Sequence, residues 1–308
     1  MRELALAQIT SMLIRKGFLV SSFFHSNNCF DIAARHSSLV LLIKIYSNID
    51  SIRQEQGEEL GKLSNALNAN ALIIGEKTKA FKLKDEVVYE RYGIPVLTIS
   101  SFKKFLEKEM PSVKYFKGRK IVELDAEKLV QKRKNMGLSR EELAEKVGAA
   151  PESIHRYEKG SASTLETAEK LEGALKTSLI KEVNLFEKKF SGADIFDKQL
   201  DEPMLSKVQR LGLDLALFEH APFKAFSHPT DSLLISIGKG EHEIRHRALK
   251  LAKTKGILES HLMILAKESK KKSVESIPVV EEEELESLSK PKDLMKIIKA
   301  REKKKDEL

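Results

Sequence analysis

The 308-residue sequence contains no tryptophan and a single cysteine, Cys29. One cysteine excludes an internal disulfide framework and a cysteine-rich zinc site. No run approaches about 18 apolar residues, so no membrane span is expected. The N-terminus, MRELALAQIT, carries Glu3 and lacks the long apolar core of a secretory signal. A cytoplasmic protein in a reducing compartment is expected. The last four residues, Lys305-Asp306-Glu307-Leu308, spell an endoplasmic-reticulum retention signal. With no route into that compartment, they read as the end of a charged tail. Aromatic residues make up only 6%, but hydrophobic residues reach 41%, and the length allows two or three domains. Lysine and arginine number 54 against 46 acidic residues, a net charge of +8. That balance favours nucleic acid or acidic surfaces as partners.

Helical spacing of Ala5, Ile9 and Leu13 predicts a helix over 2–16. Strand-like runs follow at Phe18–Phe24, Phe30–Ala34 and Leu39–Tyr46, with Asn27 and Asn28 as turn residues. Residues 50–69 read as a helix, and Leu72–Ile74 as a strand closed by Gly75. Further strand signals cover Phe81–Tyr89 and Ile94–Ile99. Residues 101–110 read as a helix capped by Ser100 or Ser101.

The C-terminal third repeats this order. FDIAARHSSLVLLIKI near Phe30 is echoed by FKAFSHPTDSLLISI near Phe223, LIIGEKT by MILAKES, and IPVLTISSFKKFL by IPVVEEEELESL. Leu41 and Ile73 are 32 residues apart, and Leu233 and Ile264 are 31 apart. A duplicated α/β unit is expected, with Lys224 aligned to Asp31 and Ser236 to Lys44. The second copy is shorter where the first carries KAFKLKDEVVYERYG. The expected domains are an α/β unit over 1–112, an all-α segment over 120–185, a second α/β unit over 203–298 and a charged tail over 299–308, with 186–202 as a linker. Whether the α/β units pair within one chain or between chains stays open.

The central segment is the most specific. Asp125 can cap a first helix, and Ser139-Arg140-Glu141-Glu142 forms a capping box for a second. Leu143, Ala144 and Val147 form its inner face. Ala144 is small where two helix backbones approach, and Gly148 permits the positive φ of a sharp reversal. Pro151 opens a third helix, locked inward by Ile154 and Tyr157. Gly160 ends it, and Thr164 opens a fourth helix with Leu165, Ala168, Leu171 and Leu175 inward. This is a helix-turn-helix pattern. GLSREELAEKVG, IHRYEKG and STLETAEKLEGAL together resemble the Cro/CI-type helix-turn-helix domain of DNA-binding regulators. The resemblance implies an ion pair between Arg133 and Glu158. It also implies that helix 151–159 enters the major groove of double-stranded DNA. Glu152, Ser153, His155 and Arg156 are then candidate base readers, and Pro151 an apolar contact. Ser139, Arg140 and Lys159 fall near phosphates. Two departures stand out: Arg140 occupies a leading contact position that is usually polar, and Ala150 gives the third helix no side-chain cap. Residues 111–160 hold 12 basic and 8 acidic residues, and Lys114, Lys117, Arg119 and Lys120 could extend a phosphate path.

The N-terminal order resembles the restriction-endonuclease-like fold, including archaeal Holliday-junction resolvases. Such nucleases hold Mg²⁺ with an Asp and an acid two residues before a Lys. Asp31 and Lys44 stand here, but the acid position is Leu42, so the unit reads as an inactive relative. His242-Glu243-Ile244-Arg245-His246 fits a zinc-protease pattern, but its flanks are charged and no third ligand is defensible, so it reads as a chance match on a solvated helix. Cys29 reads as a small apolar residue, and His25 and His36 as surface groups. The whole layout resembles a family of archaeal helix-turn-helix transcriptional regulators. We expect a non-enzymatic DNA-binding regulator with no catalytic residue, metal or cofactor, acting as a homodimer whose contacts come from the α/β units, and with transcription machinery as a further partner. The alternative is a structure-specific nucleic-acid binder or a weakly active metal-dependent nuclease-like protein.

Overall fold

The computed structural model describes residues 2–24, 28–186, 195–227 and 232–302. His25, the turn at Asn27, the middle of the expected linker and the Lys305–Leu308 tetrapeptide lie outside them. The chain forms two compact units. One comprises residues 1–45, 52–72 and 189–308, the other residues 46–51 and 73–188.

The first α/β copy opens with α1 (Arg2–Arg15), whose buried Ala5, Ile9 and Leu13 form one stripe. β1 (Leu19–Ser22), β2 (Ile32–His36) and β3 (Leu39–Asn48) follow as an antiparallel meander. β3 is buried from Val40 to Lys44, the near-continuous apolar run of a strand covered on both faces. Then come α2 (Gln54–Ala66), β4 (Asn70–Lys77), β5 (Val87–Arg91), β6 (Ile94–Leu97) and α3 (Ile99–Leu106). Gly75 lies inside β4 instead of closing it. A Cβ there would run into the side chain of Ile49. The cap of α3 is Thr98, not Ser100 or Ser101. Its hydroxyl accepts the Ser101 amide at 3.1 Å, so the helix starts earlier than expected.

The central segment is not all helical. β7 (Val113–Phe116) and β8 (Arg119–Val122) form a hairpin ahead of α4 (Ala126–Asn135), α5 (Arg140–Val147) and α6 (Pro151–Glu158). A short β9 (Ser163–Thr164) leads into α7 (Leu165–Leu175). β7 runs parallel to β5, β8 pairs with β7, and β9 with β8. The helical domain is thus joined to the first copy through hydrogen-bonded strands. Its core gathers Val122, Leu124, Leu129, Leu143, Ala144, Val147, Ile154 and Leu171.

The second copy comprises α8 (Pro203–Arg210), β10 (Leu215–Leu217), β11 (Ala225–Ser227), β12 (Leu233–Gly238), α9 (Glu241–Ala252), β13 (His261–Ala266), β14 (Ser273–Val274), β15 (Ile277–Glu281), α10 (Glu282–Glu286) and α11 (Pro291–Glu302). Its strand order, β10-β11-β12-β13-β15-β14, repeats β1-β2-β3-β4-β6-β5. The register repeats as well. The amides of Phe23 and Asp31 donate to Asp31 O and Ile43 O, and those of Phe218 and Lys224 donate to Lys224 O and Ile235 O. The expected alignment of Asp31 with Lys224 and of Lys44 with Ser236 therefore holds in three dimensions. The β5 hairpin is not deleted in the second copy but shrunk to two-residue β14. Residues 299–302, expected in the charged tail, continue α11, because Leu294, Met295 and Ile298 bury one face of that helix.

The two copies face each other within the first unit, and their contacts exchange roles. Lys62 Nζ donates to Leu217 O at 3.2 Å, and its counterpart Lys253 Nζ donates to Ser22 O at 3.5 Å. Of the two pairings left open, the chain shows contacts between the copies within itself. Reciprocal contacts of this kind mark an isologous interface.

Candidate nucleic-acid interface

Each helix of the central domain begins where its sequence says. Asp125 accepts the Lys128 amide at 3.0 Å and Thr164 the Thr167 amide at 3.2 Å. Ser139 and Glu142 complete the capping box, with 3.0 Å from the Glu142 amide to Ser139 Oγ and 2.7 Å from the Ser139 amide to Glu142 Oε2. Gly148 reverses the chain at φ 65°, and α6 follows with Pro151 in its first turn and no side-chain cap from Ala150.

The α5–α6 pair is locked by charge as well as packing. Glu158, whose side chain is 2% exposed, accepts Arg133 Nε at 2.6 Å and Arg140 Nε at 2.6 Å. Burial pushes its carboxyl up, but the bonds from both guanidinium groups outweigh that and hold it below the usual glutamate range. The Arg133 pair forms as the resemblance implies. Arg140, expected near phosphate, gives its Nε to Glu158 while its side chain stays 41% exposed. The cause is arithmetic of lone pairs, since one guanidinium leaves the second buried carboxylate oxygen unserved.

With Ile154 buried against α5, the opposite face of α6 is open. Glu152, His155, Arg156 and Lys159 are exposed there, Ser153 and Pro151 are half-buried, and Arg156 Nη2 donates to Ser153 Oγ at 3.2 Å. Tyr157 is half-buried against the domain core. Ser139 is exposed at the α5 N-terminus, where its cap uses an acceptor lone pair and leaves its proton available.

The nuclease-like position in the first copy is built differently from a metal site. Asp31 is fully buried. It accepts Arg2 Nη2 at 2.8 Å, Lys44 Nζ at 3.1 Å and the Ile45 amide at 2.8 Å. Lys44 also donates to Asn28 O at 2.5 Å. Burial pushes the Lys44 ammonium below the usual lysine range, although Asp31 opposes the shift. Glu3 is exposed on α1 and Leu42 is buried. In the second copy, Ser236 Oγ is buried without a hydrogen-bond partner among the described residues, and Lys224 pairs with Glu219.

Comparison with known proteins places these parts. A model of the PD-(D/E)XK superfamily domain matches residues 2–111, and a helix-turn-helix model matches residues 129–181. A relative from Archaeoglobus fulgidus is 35% identical over 276 residues, covering 88% of this chain and 89% of its own length. It carries the name "Putative HTH-type transcriptional regulatory protein". The chain belongs to this archaeal HTH-type family. Other members, from Pyrococcus abyssi and Methanocaldococcus jannaschii, are each 30% identical and span 96% and 97% of this chain and 97% of their own lengths. No solved structure matches the chain.

The PD-(D/E)XK superfamily implies a divalent cation held by paired carboxylates. The residues of this HTH-type family member do not fit one. The Asp31 carboxylate is already neutralised by two cationic side chains, and the second acid position is apolar Leu42. Among the described residues no group of three His, Cys, Asp or Glu side chains is arranged to hold a metal. His242 and His246 are exposed on α9, and Glu243, needed as a base in the zinc reading, accepts Arg247 Nη2 at 3.1 Å and the Lys239 amide at 3.0 Å. Cys29 is buried, and burial pushes its thiol up, away from reactivity. Among the described residues no helix is long and apolar enough to cross a membrane. Arg2 carries no sequence signal for this role, since only its helical phase brings it to Asp31. One helical residue of rotation decides which of Arg2 and Glu3 meets Asp31.

Proposed function

We propose that this HTH-type protein is a non-enzymatic DNA-binding transcription regulator that reads the major groove with the helix at 151–159. The observation that carries the proposal is the outward face of α6. Glu152, His155, Arg156 and Lys159 are exposed there while the buried Glu158 ion pairs hold the helix against α5. A rigid recognition helix with polar side chains at its exposed positions suits hydrogen bonding to base edges. Arg156 suits guanine, and Ser139 and Lys159 suit flanking phosphates. One such helix covers a few base pairs, so two chains act on a near-palindromic site. Their contacts lie outside the surfaces that the α/β copies use on each other within the chain. The cation-filled Asp31 pocket supports a structural role for the nuclease-like copies.

The test is selection from a randomised duplex library by mobility shift, with and without Mg²⁺, for the wild type, Arg156→Ala and Asp31→Ala. Enrichment of a short near-palindromic site, lost in Arg156→Ala and kept in Asp31→Ala, is the expected result. Retardation of all duplexes regardless of Arg156 would overturn sequence reading. Mg²⁺-dependent nicking abolished by Asp31→Ala would overturn the non-enzymatic assignment. Recruitment of transcription machinery is separable, since a protein contact survives Arg156→Ala.

A further inference from the structure

The β7–β8 hairpin is the least expected element of the central domain, and its tip is built unlike the rest. The two-residue turn is Lys117-Gly118, with φ 46° and 83°. Two positive φ values in succession define the tight turn that matches strand twist, and Asn-Gly is its favoured sequence. A lysine at the first of these positions carries a Cβ that the left-handed conformation disfavours. It gains nothing locally beyond placing its ammonium 5.2 Å from the ring of Phe116.

Side-chain alternation separates the two faces of the hairpin. Tyr115 turns inward, where its ring lies 5.2 Å from Tyr89 and 5.4 Å from Phe81. Phe116 turns the other way and is 56% exposed, directly across the ladder from Arg119. Lys114 is paired with Glu123. Among the described residues, Lys117, Arg119 and Lys120 have no ion-pair partner. The tip therefore presents the exposed Phe116 ring beside exposed Lys117 and Arg119, while half-buried Lys120 lies across the ladder from Tyr115 on the other face.

This tip is held, not floppy. β7 pairs with β5 at its base, and β8 pairs with β9 through Ile121–Thr164 and Val122–Ser163. The hairpin reaches past β9 by residues 117–120, roughly 10 Å at a strand's rise per residue. Antiparallel pairing sends it toward the Thr164 end of β9, beside the N-terminus of α7. Ser163 follows Lys159, at the end of α6, by four residues, and both lie in the second unit.

We propose that the β7–β8 hairpin is a wing that grips duplex DNA beside the site contacted by α6. Lys117, Arg119 and Lys120 lie on phosphates and Phe116 wedges against the floor of the minor groove. Cations with an apolar side chain are the combination that minor-groove contacts use. The inference rests on the reading of α6 as the recognition helix.

The test compares the wild type, the triple variant Lys117→Gln/Arg119→Gln/Lys120→Gln, Phe116→Ala and Arg156→Ala on the duplex enriched by the wild type. Hydroxyl-radical footprints and salt titrations are the readouts, and thermal melting checks the fold. The triple variant should lower the slope of log affinity against log salt by about 2.7, at about 0.9 per lost phosphate contact. Its footprint should shrink at the flanks while the selected sequence stays the same. Phe116→Ala should weaken binding roughly tenfold, in the range of an aromatic–base contact. Arg156→Ala should do the reverse, relaxing the sequence while keeping the flanking protection. A triple variant with the wild-type slope and footprint overturns the wing and leaves the α6 reading intact. A wild-type chain that retains no duplex at any salt overturns both.

Discussion

The two α/β copies share strand order and register, yet only the first keeps charge at its centre. At one position Asp31 is buried and bound by Arg2 and Lys44. At the equivalent position Lys224 turns to Glu219, and Ser236 stands where Lys44 would be, its hydroxyl buried and unpartnered among the described residues. The fold therefore does not depend on the polar centre, since the second copy has the same sheet without it. What both copies retain is the apolar pair of central strands, β3–β4 and β12–β13. The first copy's triad is a consequence of keeping a buried carboxylate: once Asp31 stays, cations must stay with it.

The comparison can be broken most severely at Lys44. Lys44→Met should destabilise the chain by about 3–5 kcal/mol in urea unfolding, because it leaves a buried carboxylate short of a cation. A loss below about 1 kcal/mol would show that Arg2 alone suffices. Glu158 supplies an independent reference for the same physics. Its folded-state pKa lies below the usual glutamate value of 4.5. The stability it contributes is thus fully present above that value and is lost as pH falls through its lower folded value. Glu158→Gln should cost about 3 kcal/mol at neutral pH, at the lower end for a broken buried pair. It should also flatten the acid limb of the helical domain's melting profile; an unchanged acid limb would count against the assignment.

A smaller difference should separate the two reciprocal lysines. Lys62 bonds Asp197 at 2.9 Å as well as Leu217 O, and its ammonium lies 5.6 Å from the Phe218 ring. Lys253 makes the longer 3.5 Å contact from an exposed position. Lys62→Met should cost about 1 kcal/mol and Lys253→Met under about 0.5 kcal/mol. Equal losses would mean that the interface is more symmetric than its bonds. The smallest effect, with opposite sign, is expected at Ser236→Ala. Removing an unpartnered buried hydroxyl should leave stability unchanged or raise it by up to about 1 kcal/mol. Clear destabilisation there would reveal a buried water as its partner.

Much of this architecture could be read from local signals. Asp125, Ser139, Gly148, Pro151 and Thr164 each state a helix boundary through the chemistry of their own side chains or backbone, and each does so in the structure. The repeat was legible because apolar strands recur at fixed spacing. The hairpin at 113–122 was not, since four-residue strands rich in lysine carry little alternation and Lys-Gly is a weak turn signature. α11 was hidden by its charge, although Leu294, Met295 and Ile298 mark its buried face. At the candidate interface, the Arg133–Glu158 pair was visible by resemblance, but the second guanidinium, from Arg140, was not. Nor was the meeting of the two copies, which relies on lysines reaching backbone carbonyls far away in sequence, a contact with no local pattern.

The reciprocal contacts between the copies have a consequence for regulation by abundance. Two separate subunits would part on dilution, and a cell could tune their pairing by how much protein it makes. Here the partners are tethered, so their encounter is governed by an effective concentration set by the connecting chain and not by the number of molecules present. The α/β pair stays assembled in a cell holding a single copy of the protein. Any dose-dependent step must then lie outside this pairing; under the proposed function it is the meeting of whole chains on DNA.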